Sequence, residues 1–334
     1  MEEALKIGVN IDGVLHRDSE PLPDTETRFR MVAEAGVFDY IEKNPAPGED
    51  LAPCLGFVER FGMPISVIGG IFRAGRDEAR MRDIAEWGGR FGAEVFNCQL
   101  FADHIDGHRL SDDEVADFYL RTCDAGERHG CLPSFEVHVD MWSEDFRRVA
   151  QVAERVAARG ARFRITLDHS HLLFKIGNAE ELDVSGIRGA VERGELVLDP
   201  ASPDAIYSQW ITADWVHHAH ARSVAPNNPP NLRMPRPGGR PGRGIQYPFV
   251  RPAAGEWDGE WQEASLESWK LALRQLLAQR TQSGVPARIS CEFIPFPDYG
   301  GAAGYSIFDN NVACARWLRE VLQVATKQVA VQTP

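Results

Sequence analysis

The sequence has 334 residues, 43% of them hydrophobic and 25% charged, and a formal net charge of −13 at pH 7. These values are typical of a globular enzyme of one large or two small domains. They exclude a membrane protein, which needs long apolar runs, and disfavour a nucleic-acid-binding one, which needs a basic face. Six scattered cysteines without C-x-x-C pairs, and a start without a basic n-region or apolar h-region, indicate a cytoplasmic protein with reduced thiols and no signal peptide.

The first half of the chain alternates strand-like with helix-like stretches. Residues 5–12 alternate apolar and polar side chains, which predicts a strand, and 24–36 is a capped amphipathic helix that ends at a glycine. The pattern continues with strands at 38–44, 64–71 and 94–100 and helices at 50–62, 73–92 and 111–130. Ser111 and Glu114 have the spacing of a capping box at the start of the last of these helices.

The second half repeats this alternation. Strands are predicted at 135–140, 163–168, 215–222 and 288–294, helices at 143–160, 266–283 and 309–327, and helical pieces within 178–208. Eight strands alternating with helices predict an α/β fold, the (β/α)8 TIM barrel. A doubly wound open sheet is the alternative, but the glycine fingerprint expected after its first strand is missing. We therefore expect one barrel domain over 1–327 and a C-terminal tail at 328–334.

One insertion departs from the alternation, at about 223–255. It is rich in Pro, Gly and Asn, contains no acidic residue, and carries five arginines: Arg233, Arg236, Arg240, Arg243 and Arg251. A loop of this length inside a compact domain is usually functional or disordered. Two interpretations stay open. The segment is either a surface flap for an oligomer or partner contact, or a lid whose arginines bind an anionic or hydroxylated substrate.

Four predicted strands end in a carboxylate or an imidazole. The residues are Glu136, Asp168, His220 and Glu292. Because all strands of a barrel end at one mouth, and because alternation turns Glu136 and His220 inward, we expect the four side chains to form one site. Three carboxylates and one imidazole make a hard, oxygen-rich ligand set. Such a set favours Mn²⁺ first, or Mg²⁺ or Co²⁺, over a closed structural Zn²⁺ site.

Three further histidines have other predicted roles. Alternation places His138 and Asp140 on the same inward face as Glu136, where His138 would serve as a general base on a proton next to a metal-bound carbonyl. His104 and His108 lie in a loop rich in Asp and Gly, which predicts solvated surface residues.

These motifs resemble the xylose-isomerase-like TIM-barrel superfamily, which includes sugar isomerases and epimerases, inosose dehydratases and endonuclease IV. The resemblance rests on Glu136, the Leu-Asp-x-x-His of 167–171, the His-x-His-x-Arg of 218–222 and the Cys-Glu-Phe of 291–293, in this order along the whole chain. By analogy with the ketose 3-epimerases, it implies four metal ligands, a catalytic acid/base pair and a substrate-binding imidazole. The implied ligands are Glu136, Asp168, His220 and Glu292, the pair is Glu136 and Glu292, and the imidazole is His171.

The chain also departs from the epimerases and from the endonucleases. The epimerases carry a second glutamate where this chain has Trp142, and their arginine lies further beyond the metal histidine than Arg222 does. We still expect Trp142, Arg222 and Glu42 to contact the substrate. The third and fourth strands lack the additional histidines of the endonuclease branch, which argues against a trinuclear nuclease site.

The resemblance implies a divalent-metal-dependent isomerase or epimerase that abstracts a proton α to a carbonyl of a keto-sugar or sugar derivative. The alternative is a lyase similar to the large subunit of bacterial C-glycoside deglycosidases, with His138 as the base in an elimination from 3-oxo-glycosides. A non-catalytic sugar-binding barrel is the third reading. We expect a small carbohydrate substrate and a homo-oligomer, joined in the lyase reading by a small partner subunit.

Overall fold

The computed structural model describes residues 5–17, 19–231, 234, 242–257, 259–296 and 304–332, with side chains of the last helix described as far as 324. The strands are Leu5–Asn10 (β1), Tyr40–Lys43 (β2), Ile65–Phe72 (β3), Val95–Leu100 (β4), Leu132–Val137 (β5), Ile165–Leu167 (β6), Val216–Ala221 (β7), Pro230–Asn231 (β8), Gly242–Gly244 (β9) and Ala287–Cys291 (β10). All of them except β8 and β9 form a closed parallel barrel in the order β1-β10-β7-β6-β5-β4-β3-β2. The predicted (β/α)8 barrel is confirmed.

Helices connect the strands. They are Thr25–Ala35 (α1), Ala52–Phe61 (α2), Glu78–Phe91 (α3), Asp112–Glu127 (α4), Arg148–Ala158 (α5), Ser170–Leu173 (α6), Ala179–Val184 (α7), Arg188–Glu192 (α8), Ile206–Thr212 (α9), Glu267–Ser283 (α10) and Ile307–Gln332 (α11). Their ends follow local signals, because free backbone N–H groups at a helix start need an acceptor. Ser111 and Glu114 form the predicted capping box of α4. In the described part of the chain, no helix has both the length and the apolar character of a membrane span.

The barrel interior changes from apolar to polar along its axis. Tyr40, Val67 and Val95 form an apolar cluster at the amino-terminal ends of their strands. Tyr40 fits because Gly8 lies opposite it, where a Cβ would come within 2.1 Å of the phenol ring. Glu42 lies two residues beyond Tyr40 on β2 and is fully buried. The apolar layer therefore forms a floor beneath a polar site at the carboxyl ends of the strands.

The end of β5 differs from the prediction. The strand stops at Val137, and the chain turns back through a 3-10 turn at Trp142–Glu144. The turn is held by Ser143, whose hydroxyl accepts from His138 N at 3.1 Å and donates to the carbonyl of Glu136 at 3.0 Å. Because of this turn Asp140 does not share the inward face of Glu136. It has a positive φ of 62° and an exposed side chain.

The insertion is tied to the barrel through Arg243 on β9. Its Nη2 lies 2.6 Å from Glu181 Oε2 and 2.5 Å from Glu144 Oε1. Lys175 is fully buried and donates to the same Glu144 oxygen at 3.0 Å. The charges of two carboxylates and two cations therefore balance in this largely buried network. Ionised groups are buried in proteins when they are paired in this way.

Arg243 thus has an anchoring contact that the sequence analysis did not foresee. Arg233, Arg236 and Arg240 lie outside the described residues. A lid or flap function of the insertion, and a homo-oligomer or a small partner subunit, stay predictions, as does the division into 1–327 and a tail.

Candidate metal centre and active site

Four side chains from separate strand ends meet at the barrel mouth. Glu136 lies on β5, Asp168 follows β6, His220 lies on β7 and Glu292 follows β10. One ligand atom from each lies within 4.8 Å of the others. Glu136, Asp168 and His220 have no solvent exposure, and Glu292 is 4% exposed. The arrangement is a compact donor set buried in the barrel.

Three side-chain amides orient the carboxylates. Asn97 and Gln99 on β4 each donate to Glu136 Oε2 at 2.8 Å, and Asn10 at the end of β1 donates to Glu292 Oε1 at 3.1 Å. Such outer contacts fix the geometry of a first ligand shell. The sequence analysis did not assign these amides, although the period-two spacing of Asn97 and Gln99 was a signal that both point into the barrel.

His220 is held from both sides of its ring. Its Nδ1 lies 3.2 Å from Glu136 Oε1 and 3.0 Å from Glu292 Oε2. Its Nε2 lies 3.0 Å from Glu42 Oε1. Burial by itself would lower the pKa of His220, but the carboxylates of Glu292, Glu42 and Glu136 outweigh burial and raise this pKa well above its usual range.

Asp168 forms a second set of contacts with Arg222 and α6. Arg222 Nη2 donates to Asp168 Oδ2 at 2.9 Å and to Ser170 Oγ at 2.8 Å, and it lies 3.0 Å from His171 Nε2. His171 Nε2 is 3.1 Å from Asp168 Oδ2. The predicted Asp-x-x-His and Arg222 are therefore brought together, with His171 and Ser170 carried by the short helix α6.

His138 lies beside this group. It is 7% exposed, and its ring centroid is 3.9 Å from that of His171. His138 Nδ1 lies 2.6 Å from the carbonyl oxygen of Val139. A carbonyl only accepts, so Nδ1 carries the hydrogen, and a neutral ring has its lone pair on Nε2. This is the tautomer that a general base requires.

The chain resembles solved structures over nearly its whole length. It aligns with a xylose isomerase-like TIM barrel protein from Mycobacterium smegmatis, solved in complex with magnesium, over 97% of both chains with 16% identity and a TM-score of 0.57. The chain has the xylose isomerase-like TIM-barrel fold.

Two further solved structures share this xylose isomerase-like barrel. An L-ribulose 3-epimerase aligns over 99% of this chain and 98% of its own, with 12% identity and a TM-score of 0.56. A probable 3-DHS dehydratase from Bacillus anthracis aligns over 94% of this chain and 99% of its own, with 13% identity and a TM-score of 0.53. No protein-family model matches the chain, and no curated protein is significantly similar to it.

The charges in this xylose isomerase-like barrel fit a bound divalent cation. Four buried carboxylates, those of Glu42, Glu136, Asp168 and Glu292, face two cations, the guanidinium of Arg222 and the imidazolium of His220. Burial lowers the pKa of His171 to about 3 and that of His218 well below its usual range, so these two neighbouring rings add no positive charge, and buried charges of one sign need a counter-ion. Burial, together with Glu136 and Asp168, raises the pKa of Glu292 to about 7. Burial opposes ionisation of Glu136 as well, but His220 outweighs it and lowers the pKa of Glu136 to about 2. The oxygen-rich donor set matches a hard ion.

The structure gives two of the residues predicted to contact the substrate other partners. Glu42 is fully buried, and its carboxylate contacts His220. Trp142 is also fully buried, and its ring centroid lies 6.5 Å from that of Phe135, on the opposite face of β5 from Glu136. An indole in that core layer packs between the barrel and its helices, away from the mouth.

Proposed function

We propose that this protein is a divalent-metal-dependent isomerase or epimerase that abstracts a proton α to the carbonyl of a keto-sugar or sugar derivative. The observation that carries the proposal is the meeting of Glu136, Asp168, His220 and Glu292 within 4.8 Å at the barrel mouth. The epimerase fold neighbour supports the same reaction class. Mn²⁺ is the ion we favour, because three carboxylates and one imidazole suit it and leave room for substrate oxygen.

An ion held by these four residues would polarise a substrate oxygen and stabilise the negative charge that develops when the proton leaves. Arg222 and His171 lie together beside Asp168 and would bind substrate hydroxyl or carbonyl oxygens. Their positions are fixed by α6, so they would orient the sugar relative to the carboxylates.

Glu292 and Glu136 would carry the proton. Asn10 donates to Glu292 Oε1 at 3.1 Å and leaves Oε2 directed into the site, where it lies 3.0 Å from His220 Nδ1. Glu136 stays ionised and is held by two amide donors, so its lone pairs are directed in advance. Return of the proton on the other face of the carbon gives epimerisation, and return on the neighbouring carbon gives isomerisation.

A second candidate reaction is elimination from a 3-oxo-glycoside, which makes the protein a lyase. It is favoured by the His138 contact with Val139 O, which puts the lone pair of the neutral ring on Nε2. Here His138 takes the proton next to the carbonyl, the electron pair forms a carbon–carbon double bond, and the bond to the aglycone breaks. The dehydratase among the fold neighbours is consistent with elimination on this barrel.

A substrate screen separates these candidates from a sugar-binding barrel without activity. Metal-free protein would be reloaded with Mn²⁺ and incubated with free ketoses, 3-oxo-sugars and 3-oxo-glycosides, with products followed by mass spectrometry and sugar chromatography. An isomerase or epimerase yields a product of unchanged mass, and a lyase releases the aglycone. Binding without turnover of any compound would leave the sugar-binding reading.

A further inference from the structure

A second group of metal-ligating side chains lies in the loop between β4 and α4. It consists of His104, Asp106 and His108 and shares no residue with the barrel-mouth cluster. The loop is a tight hairpin, closed by an antiparallel bridge between Asp103 and Arg109 and by a 2.9 Å bond from His104 N to His108 O. Alternate residues of the hairpin therefore turn their side chains to one side.

The three donor atoms lie close together. Asp106 Oδ1 is 3.0 Å from His104 Nδ1 and 2.6 Å from His108 Nδ1, and the two imidazole rings stack with centroids 4.9 Å apart. Tetrahedral Zn²⁺ with bonds of about 2.1 Å separates its ligand atoms by roughly 3.4 Å. The two distances from Asp106 Oδ1 to the imidazole nitrogens would have to lengthen by less than about 1 Å to hold an ion, which rotation of exposed side chains permits.

His108 Nε2, the ring nitrogen that points away from the cluster, contacts a carboxylate, as the second nitrogen of a metal-bound histidine commonly does. Its Nε2 lies 2.8 Å from Glu114 Oε1. Glu114 is itself fixed, because its other oxygen accepts from the backbone N–H and the hydroxyl of Ser111. A carboxylate on one ring nitrogen holds the hydrogen there and turns the other nitrogen toward the ion. With the Nε2 hydrogen held by Glu114, an ion would bind His108 through Nδ1, in place of the hydrogen that Nδ1 donates to Asp106 Oδ1 in this structure.

His104 is also oriented for this cluster. A Cβ at Gly75 would come within 2.3 Å of His104 Nε2, so the ring occupies space that only a glycine leaves open. His104 Nδ1 lies 3.0 Å from Asp106 Oδ1 and 3.4 Å from the backbone nitrogen of Asp106. Both imidazoles thus turn Nδ1 toward one carboxylate oxygen.

We propose that His104, Asp106 and His108 form a peripheral binding site for a borderline transition-metal ion such as Zn²⁺, with water completing the coordination. Two imidazoles and one carboxylate suit Zn²⁺, Ni²⁺ or Cu²⁺ better than the hard ions expected at the mouth. The loop is joined to the segment after β5 by an antiparallel bridge between Phe101 and Met141. An ion bound here therefore stabilises the folded loop beside that segment by mass action.

Zinc stoichiometry tests the proposal. Chelator-treated protein is dialysed against Zn²⁺ at pH 7.5, and bound ion per chain is counted by elemental analysis. We expect the Asp168→Asn variant to lose the ion at the barrel mouth and to keep one ion. Adding His104→Gln or His108→Gln to this variant should remove the remaining ion. His129→Gln, at an exposed histidine on another loop, should leave that ion in place. The proposal is overturned if Asp168→Asn binds no ion, or if its remaining ion persists in both loop variants.

A second variant pair separates metal binding from a plain ion pair between His108 and its two acidic neighbours. Glu114→Gln keeps all three ligands and should weaken Zn²⁺ binding at the loop by ~10- to 100-fold, the usual effect of removing an outer-shell carboxylate. Glu127→Gln removes the same charge from an exposed position at the other end of α4 and leaves Glu114 on His108, so Zn²⁺ affinity should be unchanged. Equal zinc affinities in Glu114→Gln and the wild type would contradict the role we assign to Glu114.

Discussion

Glu42 Oε1 lies 3.0 Å from His220 Nε2, and both side chains are fully buried. The contact joins β2 to β7 across the barrel and leaves Nδ1 of His220 facing the carboxylates of the site. In metal sites, a carboxylate behind a ligand histidine fixes its tautomer and ring orientation.

Replacing Glu42 should therefore weaken metal binding without removing a ligand. Glu42→Ala leaves Nε2 of His220 without this acceptor, and we expect Mn²⁺ affinity to fall by ~10- to 100-fold. Glu42→Gln retains an amide oxygen that accepts from Nε2 and should lose less. Isothermal titration of Mn²⁺ into metal-free protein measures both. Equal affinities in Glu42→Ala and the wild type would show that the contact has no role in metal binding.

Variants of His138 and Glu292 separate the two candidate reactions. If the proton moves through Glu292, Glu292→Gln should lower turnover by ~10²–10⁴-fold and His138→Ala should have a mild effect. Elimination with His138 as the base predicts the large loss in His138→Ala. Metal content has to be measured in each variant, because Glu292→Gln also removes a ligand charge. Loss of metal in His138→Ala would mean that His138 belongs to the ligand set.

The buried network of the insertion predicts a large stability difference between two arginines. Arg243→Met leaves Glu144 and Glu181 with only Lys175 as a cationic partner, which should cost about 3–5 kcal/mol of unfolding free energy. Arg251→Met, at an exposed position of the same insertion, should change it by less than about 0.5 kcal/mol. Urea unfolding measures the unfolding free energy of both variants. Similar unfolding midpoints would show that Arg243 does not anchor the insertion.

The same network limits how much of the insertion can be removed. Deleting residues 232–241 and joining the ends through a four-residue Gly/Ser linker keeps Arg243 and the pairing of Asn231 with Gly242. The barrel should stay folded, because the closure entropy of a connection changes little with its length. A deletion that includes Arg243 should unfold at lower urea concentration, since it also breaks the ion pairs with Glu144 and Glu181. Equal unfolding midpoints for the two deletions would contradict this boundary.

Lys175 predicts a stability change at alkaline pH. Burial lowers its pKa from 10.5 to about 8 in the folded protein. Between these two values the unfolded chain binds more protons, so the contribution of Lys175 to stability rises with pH. Relative to Lys175→Met, the unfolding free energy of the wild type should rise by about 3 kcal/mol between pH 8 and pH 10.5. Urea unfolding of both proteins at each end of the window measures the gain, and a constant difference between them would contradict the shift.

The barrel and the meeting of four polar strand ends could be predicted from the sequence because both depend on local patterns. Alternation within one strand turned Glu136 and His220 inward, and strand ends located Asp168 and Glu292. The buried position of Trp142 could not be predicted, because the chain turns after Val137 and that turn depends on contacts of Ser143 with residues several positions earlier.

Contacts between distant residues were not predictable in this way. Glu42 is 178 positions from His220, and Arg243 is 62 positions from Glu181. Neither pairing leaves a periodic signal in a single sequence. The amide of Asn10 likewise reaches Glu292 only when β1 pairs with β10 and the barrel closes.

Metal-assisted proton abstraction can be followed by exchange of the substrate proton with solvent. The protein is incubated in D₂O with ketoses and 3-oxo-glycosides, once loaded with Mn²⁺ and once stripped of metal, and deuterium at the carbon next to the carbonyl is measured by mass spectrometry. We expect deuterium incorporation by the Mn²⁺-loaded protein, none by the stripped protein, and none by Asp168→Asn, which lacks one ligand charge. Incorporation at the full rate by protein that elemental analysis shows to be metal-free would contradict metal-assisted proton abstraction.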